Sequence, residues 1–116
     1  MRAAAEFLVS LPGRSWLILG DMLELGPKER EIHREVGESV RRIGVDRLFT
    51  TGELCRHLSD GFGDGAAWFA TTDELAAAVG EQLSSDVNVL VKGSRGMRME
   101  RVVHALRAAD AMRRKA

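Results

Sequence analysis

Lys92-Gly93-Ser94-Arg95-Gly96 gathers two glycines, two cations and a hydroxyl into five consecutive positions. Glycines let the backbone turn tightly, and free N–H groups at a following helix start can hold an anion. Lys92 and Arg95 add charge, and a guanidinium can grip a carboxylate with two bonds. The loop is not a nucleotide P-loop, which ends in Gly-Lys-Ser/Thr. The plainer alternative is a strand-to-helix turn with solvated charges. Asp21 and Glu24 form a second polar group just after an apolar run. A carboxylate there can accept from a ribose hydroxyl, hold a metal through water, or merely cap its turn.

The remaining candidates are isolated. His33 borders an apolar helical stripe. It is either a donor reaching a binding rim or a half-buried helix residue with a satisfied nitrogen. His57 and His104 lack an acidic or cysteine partner at ligand spacing and read as surface residues. Cys55 is the only cysteine, without a neighbouring motif that would activate it, so it reads as a buried structural thiol. Asp60 and Asp64 with their glycines resemble half a calcium loop, but the alternating acids and terminal Glu are missing. The sequence has no Ser–His–Asp order and no paired catalytic acids, so no catalytic residue is assigned, and no metal ligand set.

Composition narrows the classes further. The chain has 116 residues, 45% hydrophobic, which suits one domain. Seventeen basic and seventeen acidic residues leave no net charge, which argues against a nucleic-acid partner. One cysteine excludes an internal disulfide and a multi-cysteine zinc site, and fits an intracellular compartment. Apolar runs such as Trp16 to Leu19 fall far short of the roughly 20 residues of a membrane span. Met1 to Ser10 does not read as a signal peptide.

These residues need elements to position them. Ala3, Phe7, Leu8 and Leu11 recur at helical spacing before Pro12-Gly13. Trp16 to Leu19 reads as a strand buried on both faces. A helix follows Gly26, with Pro27 at its first position, an apolar stripe of Ile32, Val36, Val40 and Ile43, and Gly44 after its end. Arg47 to Thr50 is a second strand, and Thr51 is placed to cap a short helix from Gly52 to about Asp60. Residues 60–65 read as a loop and Ala66 to Phe69 as a third strand. Thr71 and Glu74 form a capping box for a helix carrying Leu75, Val79 and Leu83. Val87 to Val91 is a fourth strand, and the last helix runs from Met97 to about Met112. Strands alternating with helices imply an α/β fold, an open, mainly parallel sheet of about four strands with helices on both faces. Ligands of such sheets bind beyond the carboxyl ends of the strands. That rim would gather Gly20, Asp21 and Glu24; Thr51, Gly52 and Glu53; Thr71, Thr72 and Asp73; and Lys92 to Arg95.

Several of these segments together resemble the Mur ligase family. They are Ile18-Leu19-Gly20-Asp21-Met22-Leu23-Glu24-Leu25-Gly26, His33-Arg34-Glu35-Val36-Gly37, Gly44 to Phe49 with Gly52, and Val89 to Glu100. The resemblance is to the C-terminal domain, in the branch that adds D-alanyl-D-alanine to UDP-N-acetylmuramoyl-tripeptide, and covers nearly the whole chain. It implies a Rossmann-like domain of a bacterial cytoplasmic enzyme of peptidoglycan precursor synthesis. That enzyme uses ATP and Mg2+ to make an acyl phosphate, which the dipeptide amine attacks. The domain would present the dipeptide and close over the ATP site of a central ATPase domain.

Carried onto this sequence, the resemblance gives Lys92, Ser94, Arg95 and Met99 to the dipeptide and Asp21 to the nucleotide ribose. His33 and Glu24 become supporting residues. The family domain opens with a strand and an Asn-Pro turn that precede the helix at residue 3, so this chain is expected to lack them. It is expected to be inactive alone, to bind neither ATP nor Mg2+ tightly, and to self-associate through an exposed sheet edge. A different class stays open: a phosphoacceptor receiver-like signalling module would use Asp21, Thr71 and Lys92, although Gly20-Asp21-Met22 supplies only one acid for magnesium. A third reading is an interaction domain without a ligand.

Overall fold

The structure is a computed structural model that describes residues 2–21, 27–93 and 100–115, with side chains in the last segment described through Arg107. Its elements are α1 (Arg2–Ser10), β1 (Arg14–Leu19), α2 (Glu29–Ile43), β2 (Arg47–Thr51), α3 (Cys55–Phe62), β3 (Ala66–Phe69), α4 (Thr72–Gln82), β4 (Val87–Lys92) and α5 (Glu100–Lys115). The four strands form one sheet in the order β3-β2-β1-β4, every pair parallel. This is the α/β, open parallel architecture expected from the alternation of apolar runs and helical stripes.

Alternation along β1 sorts the core into two layers. Leu17 and Leu19 pack with Ala5, Leu8, Val40, Leu48, Cys55, Leu58 and Phe62, contributed largely by α1, α2 and α3. Trp16 and Ile18 point the other way, onto Phe49 and the α4 and α5 residues Leu75, Val79, Val102 and Leu106. Helices therefore cover both faces. The path β1–α2–β2–α3–β3 steps toward one edge with its helices on one face. The return through α4 crosses the whole sheet to β4 on the other side of β1. A right-handed crossover running in the reverse direction puts its helix on the opposite face. Trp16, Leu17, Ile18 and Leu19 are all essentially inaccessible, as a doubly covered central strand requires.

Several local expectations change. Phe7 is 65% exposed and Ala3 is exposed, so of that stripe α1 buries Leu8, joined by Ala5. α2 begins at Glu29, and Pro27 lies in the turn before it. Its buried residues are His33, Gly37 and Val40, with Ile32, Val36 and Ile43 only half-buried. The cause is α3, which crosses α2 backbone to backbone. A Cβ on Gly37 would lie 2.0 Å from the Leu58 carbonyl oxygen, and one on Gly61 would lie 2.2 Å from that of Arg34. α3 starts at Cys55 and runs on through Gly61 and Phe62, which were expected in a loop, and Thr51 ends β2 instead of capping α3. The Thr71 cap is realised: its side-chain oxygen accepts from the Glu74 N–H at 3.1 Å. Gly44 follows α2 in the left-handed conformation, as read.

Candidate functional site

Parallel pairing sets all four strand carboxyl ends along one rim. Leu19 stands beside Thr50 in β2 and beside Lys92 in β4, and Thr51 stands beside Phe69 in β3. Gly20 N–H donates to the Lys92 carbonyl at 3.0 Å, extending the ladder past the last strand residue. The chain steps away from β1 toward β2 on one side and pairs it with β4 on the other. β1 and β4 thus flank the topological switch point, where open α/β sheets make their ligand crevice. Lys92 is exposed on that rim and Asp21 is 8% exposed.

Asp21 organises the neighbouring loop. Its carboxylate accepts from Cys55 N–H at 2.9 Å and from Leu54 N–H at 3.3 Å. These are otherwise unpaired donors at the start of α3, whose dipole favours a negative charge. A carboxylate from β1 thus does what Thr51 was expected to do. The Thr51 hydroxyl instead donates to Phe69 O at 2.9 Å. Gly52 must be glycine twice over: φ is +102°, and a Cβ would meet the Asp21 carboxylate at 2.3 Å. The Trp68 indole N–H holds the Gly52 carbonyl at 2.7 Å, and the Arg56 guanidinium lies 4.1 Å from the Trp68 ring centre. Trp68 escaped the sequence reading. Its aromatic type at a strand end is a signal, but nothing local shows that it reaches Gly52.

His33 lies deeper than a half-buried residue and is fully inaccessible. Its Nδ1–H donates to the Glu29 carbonyl one turn back at 2.7 Å. Cys55 is also fully buried. Desolvation, then the Asp21 charge and its hydrogen bond, push the thiol well above its ordinary range. The sequence reading treated Asp21, His33 and Cys55 separately. The fold gathers one ligand atom of each within 4.8 Å of the others. His57 is half-buried and His104 exposed.

The other expected site residues Glu24, Ser94, Arg95 and Met99 lie outside the described residues. Within the described rim, exposed Lys92 offers the positive charge that a phosphate or carboxylate requires. Mg2+ fits less well. It prefers exposed, hydrated carboxylate ligands, whereas the one cluster of potential metal ligands among the described residues is buried and contains a thiol. No Mg2+ chemistry is therefore assigned to this chain. Nothing at the rim favours the receiver-like reading either. Both Asp21 oxygens already bind backbone N–H groups, and Thr71 caps α4. Among the described residues, no helix is long and apolar enough to cross a membrane.

Comparison with known proteins agrees with this architecture. The sequence pattern of the family described as "Mur ligase, glutamate ligase domain" matches residues 1–95. The UDP-N-acetylmuramoyl-tripeptide–D-alanyl-D-alanine ligase of Escherichia coli (strain K12) is 38% identical over 109 residues, 91% of this chain and 24% of that protein. The Bacillus subtilis (strain 168) ligase of the same name is 36% identical over 113 residues, 91% of this chain and 25% of that protein. The crystal structure of MurF from Acinetobacter baumannii superposes with a TM-score of 0.83 at 26% identity, covering 91% of this chain and 25% of that one. MurF ligase from Thermotoga maritima, solved in complex with ADP, shares the fold at a TM-score of 0.79 and 22% identity, covering 97% of this chain and 26% of that one. The chain spans about a quarter of the length of the curated relatives it matches. With the family pattern covering most of its length and the fold in agreement, the chain belongs to the Mur ligase family, in its glutamate ligase domain.

Proposed function

We propose that residues 1–116 act as the substrate-presenting C-terminal domain of an ATP-dependent ligase that joins D-alanyl-D-alanine to UDP-N-acetylmuramoyl-tripeptide. The observation that carries this reading is the 38% identity to a ligase of that name over 91% of the chain. In this reaction the tripeptide's terminal carboxylate takes the γ-phosphoryl group of ATP, releasing ADP. The dipeptide amine attacks the acyl phosphate, phosphate leaves, and the amine gives up a proton. The phosphoryl chemistry and Mg2+ ligation belong to a central ATPase domain of the cytoplasmic enzyme. This chain contributes no catalytic residue and is inactive by itself.

Its contribution is binding and orientation. Lys92, with Ser94 and Arg95, receives the dipeptide carboxylate, so that the amine faces the acyl phosphate. Met99 lines the same pocket. The exposed position of Lys92 beside the β1–β4 switch supports this role. Asp21 serves the nucleotide side of the rim. Its lone pairs beyond those taken by Leu54 and Cys55 remain suited to a ribose hydroxyl, and it rigidifies the Gly52 loop. His33 and Glu24 support that end. Closure of this domain on the central one completes the site.

The test is steady-state kinetics of the full-length ligase with Lys92→Ala and Arg95→Ala. Each should lower kcat/KM for D-alanyl-D-alanine by about tenfold or more, as expected for lost charge-assisted hydrogen bonds, with KM for ATP little changed. Unchanged dipeptide kinetics in both variants would remove the loop from the acceptor site.

A further inference from the structure

We propose that Asp21, His33 and Cys55 form a binding site for one thiophilic divalent transition-metal ion of the Zn2+ class. The three residues come from the turn after β1, the second turn of α2 and the first residue of α3. One oxygen, one ring nitrogen and one sulfur lie within 4.8 Å of one another, and all three residues are buried. A mixed S, N, O set selects Zn2+ or Co2+ over Mg2+ or Ca2+. Ligand atoms around a tetrahedral zinc stand roughly 3.5 Å apart, so the side chains need close by only about 1 Å.

Two further features fit a metal. The His33 Nδ1–H bond to the Glu29 carbonyl is the outer hydrogen bond that orients metal-bound imidazoles and makes Nε2 the ligand nitrogen. That nitrogen exchanges its present interaction for the metal. Charge also balances. Carboxylate, thiolate and neutral imidazole together neutralise a divalent ion, which suits a buried site. On binding, the sulfur–metal bond forms, the S–H bond breaks, and the proton passes to solvent. Three protein ligands leave a fourth position for water or another small donor.

The experiment is an anaerobic Co2+ titration of the metal-free chain, followed by absorption, with displacement by Zn2+. Expected is one equivalent of Co2+, a thiolate-to-cobalt charge-transfer band in the near ultraviolet, and visible bands of four-coordinate intensity. Cys55→Ser should lose the charge-transfer band while circular dichroism shows a folded chain. His33→Gln and Asp21→Asn should each weaken binding at least tenfold. Asp21 also caps α3, so His33→Gln decides if Asp21→Asn does not fold. Absence of the band in the folded wild-type chain, or a band unchanged by His33→Gln, overturns the site. The readout needs no turnover, so it stands apart from the ligase reading.

Discussion

Asp21 fills the space beside Gly52 and caps a helix that begins 34 residues further along the chain. Asp21→Ala should therefore cost about 1–2 kcal/mol in urea unfolding, the usual value of a lost N-cap. Gly52→Ala should cost more than that, because it meets both the carboxylate and an unfavourable φ. Cys55 should be inert to a disulfide reagent in the native chain and react at once in denaturant. Burial and the adjacent carboxylate both oppose the thiolate, and comparing the two reaction rates checks this. At the opposite end of the sheet, hydrogen bonds from Arg14 and then Ser84 hold the Asp86 carboxyl down, from its ordinary 3.8 to about 2. A lowered native pKa stabilises the fold above the unfolded value. That contribution fades as pH falls from 3.8 toward about 2. Asp86→Asn should flatten this acid limb of the stability profile, while leaving its shape at higher pH unchanged. Asp21 was legible as a polar residue after a buried strand. Its partner was not, because a contact between a strand end and a distant helix start depends on sheet order, which no local pattern carries.

At the scale of elements, the strands and helix identities were readable because each apolar run or stripe has its own period. Helix rotation was less so. The stripe Ile32, Val36, Val40 and Ile43 is the apolar face of α2, yet the deepest positions are His33, Gly37 and Val40. Glycine has no hydropathy with which to mark a face, and a buried histidine reads as polar. What turns α2 is its close crossing with α3, where Gly37 and Gly61 admit the opposite backbone. Gly37→Ala should separate the two helices and cost about 1–3 kcal/mol, the usual penalty of overpacking. Phe7→Ser on α1 is the control. That side chain is 65% exposed, and its replacement should leave stability within about 0.5 kcal/mol. Thermal or chemical unfolding of the pair measures both. Thr71 with Glu74 was read correctly because a capping box is wholly local.

The described sheet has one rim of strand carboxyl ends and two lateral edges. Among the described residues, β3 and β4 each pair on one side only. Pairing with a second copy, if it occurs, is expected along the half-buried strand Val87–Lys92. Sedimentation at increasing concentration should show a mass rising above 12.7 kDa, and a constant monomer mass would refute edge pairing. The same sheet order bears on how the chain reaches its fold as it is made. β1 emerges before the other three described strands, and its β2 partner follows soon after. The other side of β1 is closed only by β4, with Arg14 facing Val87 and Leu19 facing Lys92. On a ribosome releasing residues in order, the central strand must wait, half-paired, for the last of the four described strands to arrive. Until then Trp16 and Ile18 have no β4 beside them and no α5 above. Such late, non-local closure slows folding and lengthens the time in which a nascent chain needs shelter from its neighbours.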